Sequence, residues 1–82
     1  MRIRSSKFKN ILAEMGRANI SVNILATKMG ITKQSLYNKL NGSNQFLYKD
    51  IRAIQQILQE LNRNNYTLDY LFTEYDNQEN TE

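Results

Sequence analysis

The stretch SVNILATKMGITKQSLYNKLNG, residues 21–42, holds two short helices and the turn that joins them. Ser21 is an N-cap candidate for a segment running through Met29, with Val22, Leu25, Ala26 and Met29 directed inward. Gly30 stops that segment, Ile31 dips back toward the core, and Thr32 caps a second helix from Lys33 to Asn41. Two helices that meet at a steep angle across a three- to four-residue turn have three local requirements. The crossing point needs a small side chain, which Ala26 provides. The turn needs a residue tolerant of positive φ, and Gly30 carries no Cβ to clash there. The second helix needs an apolar anchor, which Leu36 and Leu40 give at i and i+4. Leu25 and Ile31 complete the wedge.

Outward from this pair the same helical period continues, and no stretch alternates long enough to make a strand. Upstream, Phe8, Ile11, Leu12 and Met15 share one face of a helix from Lys7 to Arg17, with Ser5 or Ser6 as its cap. Downstream, Asn41-Gly42 suits a left-handed C-terminal cap, and Ser43 to Phe46 forms a polar loop with an aromatic at its far end. Leu47, Ile51, Ile54, Leu58 and Leu61 recur at helical spacing, the clearest amphipathic stripe in the chain. Asn62 to Tyr66 breaks it, and Thr67 caps a last short helix, Leu68 to Phe72. The expected fold is all-α, with five short helices in one domain spanning residues 1–72.

Charge is distributed unevenly over the 82 residues. All 11 basic residues lie before residue 73, against four acidic ones, Glu14, Asp50, Glu60 and Asp69, for a net +7. The remaining ten residues carry Glu74, Asp76, Glu79 and Glu82 and no cation, and this −4 tail is expected to be disordered for want of anything to bury. A basic globular part suggests a polyanionic partner, nucleic acid first. The absence of Cys and His removes disulfides, thiol chemistry, the imidazole base and the commonest transition-metal ligand. The serines have no histidine to activate them, and the acidic residues show no metal-ligand spacing. No enzyme activity, metal, cofactor or small-molecule ligand is expected. No run approaches a membrane span, and the N-terminus lacks a signal peptide's apolar stretch, so a cytoplasmic protein is expected.

On the second helix of the pair, Leu36 and Leu40 define the inner face at 100° per residue. Gln34 and Asn38 lie almost opposite, flanked by Ser35 and Tyr37, with Asn41 beside them and Lys33 projecting from the first turn. Carboxamides pair bidentately with adenine, and a lysine at the tip reaches guanine O6 and N7. Outside a DNA-binding motif such a ridge would be the solvent face of a small bundle. First-turn N–H groups after Ser21 and Thr32 suit anions. Ser43, Asn44 and Gln45, with Lys49 and Arg52, can track an adjacent phosphate strand. Arg2, Arg4, Lys7 and Lys9 can form a basic arm, with residues 1–4 at its tip.

Residues 21–42, set in this five-helix frame, resemble the helix-turn-helix of the Cro and phage-repressor family of small DNA-binding regulators. Ala26, Gly30, Leu36, the Asn41-Gly42 stop and the closing Tyr70-Leu71-Phe72 carry the resemblance. Val22 stands where that family usually has Gln, and Ile24 occupies a usually polar place. The resemblance implies base contacts from Lys33, Gln34 and Asn38, with Tyr37 alongside, and phosphate contacts from Ser35 and Asn41. It implies a transcriptional regulator, a repressor by simple occupancy, that binds a palindromic operator. One short recognition helix reads too few base pairs to select a site, which calls for a homodimer. Leu68, Tyr70, Leu71 and Phe72 cannot all face one small core and are the expected dimer surface. The rival reading is a protein–protein adaptor or antitoxin-like module, with Ile24 as its exposed contact.

Overall fold

The computed structural model describes residues 8–74, and over them the chain is all-helical. Five helices follow in order: α1 Lys9–Ala18, α2 Val22–Met29, α3 Lys33–Leu40, α4 Tyr48–Asn62 and α5 Leu68–Leu71. The expected basic arm (Arg2, Arg4 and Lys7) and the tail beyond Glu74 lie outside the described residues. Among the described residues no helix is long and apolar enough to cross a membrane.

Local chemistry sets the helix ends. Ser21 Oγ accepts from Ile24 N at 3.2 Å, Thr32 Oγ1 from Ser35 N at 3.1 Å and Thr67 Oγ1 from Tyr70 N at 3.0 Å. Each hydroxyl thereby satisfies one of the first-turn N–H groups that a helix leaves unpaired. α2 closes on Gly30 at φ 80°, with Gly30 N donating to Thr27 O and Ile31 N to Ala26 O. A Cβ on Gly30 would meet nothing within 4 Å, so the position demands its left-handed backbone and not space. At the end of α3 the left-handed residue is Gly42, at φ 92°, whereas Asn41 keeps φ −91°. α1 begins at Lys9, two residues later than expected, behind Phe8 and without a side-chain cap.

The core gathers Ile11 from α1, Leu25 from α2, Leu36 and Leu40 from α3, Ile54 and Leu58 from α4, and Leu71 from α5, all at 0% exposure. Ala26, at 1%, sits on the inner face of α2 as a close crossing requires. α1 packs on α4 and α5, α2 on α3 and α4, and α4 on α5. Phe8, Phe46 and Phe72 close one end as an edge-to-face trio, with ring centroids 5.2 to 6.0 Å apart. The α4 stripe is shorter than its spacing suggests. Leu47 and Leu61 are exposed, because Leu47 is the cap residue outside the helix and Leu61 lies in its last turn. Leu71, expected on a dimer surface, is instead a core residue with nothing left to offer a partner.

Candidate nucleic-acid interface

α3 is held from one side. Among the described helices its backbone approaches that of α2 alone, while Leu36 and Leu40 fill the space beneath it. On the far side Lys33 and Gln34 are exposed and Asn38 is half-buried. Gln34 Nε2 donates to Asn38 Oδ1 at 3.1 Å, so the two carboxamides form one strip along the helix. That bond leaves Gln34 Oε1 as an acceptor and Asn38 Nδ2 as a donor, the complementary pair that base edges in a major groove require. Tyr37 is half-buried and packs against the core, flanking the ridge without belonging to it.

The expected phosphate-binding residues are spread over two helix starts, α3, the loop that follows it and the beginning of α4. Ser21 and Thr32 have committed their hydroxyl oxygens as caps, leaving the N–H groups of Val22 and Asn23, and of Lys33 and Gln34, at two helix starts. Ser35, the half-buried N3 residue of α3, gives its backbone N–H to Thr32. In the loop, Asn41 Oδ1 accepts from Ser43 N at 3.0 Å and Asn38 O accepts from Asn44 N at 3.0 Å. These bonds fold residues 42–45 back onto α3, with Ser43, Asn44 and Gln45 exposed. Lys49 and Arg52 are exposed on α4, and Arg52 Nη1 donates to the Tyr48 hydroxyl at 3.2 Å. Lys9 opens α1 on the surface.

Spacing alone did not reveal Lys39 and Asp50. Asp50 is 4% exposed, and its Oδ2 accepts from Leu47 N at 2.9 Å and from Lys39 Nζ at 3.1 Å. Lys39 Nζ also donates to Gln45 O at 3.2 Å. One ammonium thus ties the last turn of α3 to the loop and to the first turn of α4. The Asp50–Leu47 contact is half of a capping box, since leucine has no acceptor to return. An acid three residues after a helix start was the available signal, but nothing in the spacing pointed to Lys39.

A second polar cluster lies where α1 meets α4 and α5. Glu14, 2% exposed, accepts from the hydroxyls of Tyr66 at 2.6 Å and Tyr70 at 2.7 Å, and from Arg17 Nε at 2.9 Å. Asn62 Nδ2 adds bonds to Glu14 O and to Tyr66 Oη. Burial pushes the Glu14 carboxyl up, but the hydrogen bonds from Tyr66, Tyr70 and Arg17 together outweigh it and hold it below the usual range. Burial and the bond to Glu14 raise the Tyr66 hydroxyl; for Tyr70 the bond to Glu14 comes first and burial second. With no buried side-chain polar atom left unpaired among the described residues, this cluster is a structural lock between helices.

Of the expected dimer residues, Leu71 is buried and Phe72 belongs to the aromatic trio. Tyr70 is 39% exposed, with its hydroxyl bound to Glu14, and Leu68 is half-buried. Val22, at 7% exposure, packs in the core, whereas Ile24 stands 44% exposed on α2. No protein-family description matches the chain, and no curated protein or solved structure matches it.

Proposed function

We propose that this chain is a sequence-specific double-stranded DNA-binding protein that reads the major groove with α3 and regulates transcription as a homodimer, by occupying a palindromic operator. The observation that carries the reading is the one-sided anchoring of α3. Its apolar residues are fully buried against α2 and the core, and a polar ridge of Lys33, Gln34 and Asn38 is left outward. In this reading the phosphate contacts come from two capped helix starts, the tied-back loop of Ser43 and Asn44, and the cations Lys49 and Arg52. The net +7 of residues 1–72 supplies the sequence-independent part of the affinity. The likeness of residues 21–42 to the Cro and phage-repressor helix-turn-helix points the same way. Repression follows as the economical mode, since occupancy excludes polymerase without a further domain, in the cytoplasm where the nucleoid lies.

Selection of binding sites from random duplex DNA tests the reading. The expected result is an enriched, two-fold symmetric site; recovery of unenriched sequence rejects it. One observation favours a protein-binding module instead, the exposed Ile24 on a surface helix. A charge reversal, Gln34→Glu, separates the two, because it abolishes DNA binding and spares a partner complex held through α2.

A further inference from the structure

α5 divides its side chains among three neighbours. Leu71 enters the core, while Tyr66, Thr67 and Tyr70 line a hollow beside Glu14. Leu68, Asp69, Phe72 and Thr73 turn the other way and line a groove with Tyr48 and Ile51 of α4. The groove is open to solvent and apolar at its base. Tyr48, at 67% exposure, is the most exposed large hydrophobic side chain among the described residues, and Arg52 donates to its hydroxyl at 3.2 Å.

The two banks of the groove carry opposite charge. Arg52, bonded to the Tyr48 hydroxyl, stands beside the α4 bank, and Asp69 lines the α5 bank. A two-fold axis running along such a groove brings each cationic bank against the other copy's anionic bank, twice over, whereas an axis across it would face like against like. A partner of single sign would satisfy one bank and oppose the other. We infer that the occupant is a second copy of this chain, docked Tyr48-to-groove about a two-fold axis, with Arg52 and Asp69 pairing crosswise. This rests on the homodimer in the reading above and changes its expected surface: Leu68 stays, Leu71 leaves it, and Tyr48, Arg52 and Asp69 join. The groove shares Ile51 and Phe72 with the hollow lined by Asn44 and Gln45, so the docked copy would sit beside the proposed phosphate-binding loop.

Sedimentation of the full chain without DNA tests the interface separately from any DNA reading. Asp69→Arg and Arg52→Glu, each alone, face like charges across the axis and are expected to weaken self-association by about tenfold or more. The double reversal restores the opposite pairing and should return the constant to within about threefold of the parent. Tyr48→Lys should abolish association while the circular dichroism of the monomer stays unchanged, since the side chain is largely in solvent. A chain that remains monomeric at all accessible concentrations overturns the inference. So does a dimer whose constant the single reversals leave unmoved. If the charge swap restores association but the parent chain, with Arg52 intact, selects no DNA sequence, the interface stands and the DNA reading falls.

Discussion

Gln34 and Asn38 are coupled before any ligand arrives, and that coupling shapes what their removal does. Replacing either with Ala is expected to cost about 1–3 kcal/mol on the selected site and to leave scrambled duplex nearly unaffected. Because Gln34 Nε2 bonds to Asn38 Oδ1, the double variant should cost less than the two single losses added together. Equal weakening on every sequence would show that this face does not read bases. Glu14 belongs to stability instead. Its carboxyl is depressed in the folded state, so its contribution is present above the ordinary value of about 4.3 and is lost as pH falls through the folded value. Tyr66 and Tyr70 are raised, so theirs is present below about 10 and is lost as pH rises through their folded values. Both flanks belong to one cluster. Glu14→Gln should lower stability by about 1–3 kcal/mol at neutral pH, flatten the acid flank and bring tyrosinate formation back toward pH 10. Thermal melts across pH with a parallel absorbance titration check this, and an alkaline titration identical to the parent's would contradict it.

At the scale of elements, the junction between α3 and α4 provides a test in which charge and geometry predict opposite signs. Asp50→Asn removes a negative charge from the proposed DNA-binding surface, so electrostatics alone predicts tighter binding. The loop, however, is held by Lys39 through Asp50 and Gln45 O. If Ser43 and Asn44 touch phosphate from that posture, Asp50→Asn should weaken specific binding by about threefold to tenfold, the worth of one ordinary hydrogen bond. Faster amide exchange at Asn44 in the free protein should accompany the loss; tighter binding with unchanged exchange would remove Lys39 and Asp50 from the site. The same junction shows what a sequence reading can reach. Ser21, Thr32 and Thr67 were legible as caps and Gly30 as the left-handed turn, because each acts within four residues of itself. The buried faces of α2 and α3 were legible by period. Glu14 was not, since it meets Tyr66 and Tyr70, 52 and 56 residues further on, and an acid within an apolar stripe gives no sign of such partners. Leu71 was misplaced because α5 is one turn long, too short for period to separate its inward residue from its neighbours.

At the scale of the whole molecule, size fixes how a site can be read. α3 is eight residues, about 12 Å of helix, comparable to the roughly 12 Å width of a major groove, so one copy seated in that groove would touch only a few base pairs. The domain measures 38 × 26 × 24 Å, which lets two copies lie along one face of a duplex with their α3 helices one turn, about 34–36 Å, apart. If two copies dock through the α4–α5 groove as inferred, that distance becomes a property of the protein, because Tyr48 and Leu68 sit on helices packed against the core that anchors α3. Spacing should therefore matter as much as sequence. Inserting about five base pairs between half-sites turns one of them to the opposite face of the duplex, and binding should drop to that of an isolated half-site. Inserting a full turn restores the facing but moves the half-sites to nearly twice the distance, beyond the reach of two copies in groove contact, so affinity should not recover. Quantitative footprinting on this spacer series distinguishes the cases. Full recovery at one added turn would mean that the copies are joined by something longer and looser than this groove, and protection independent of spacing would mean that they bind singly.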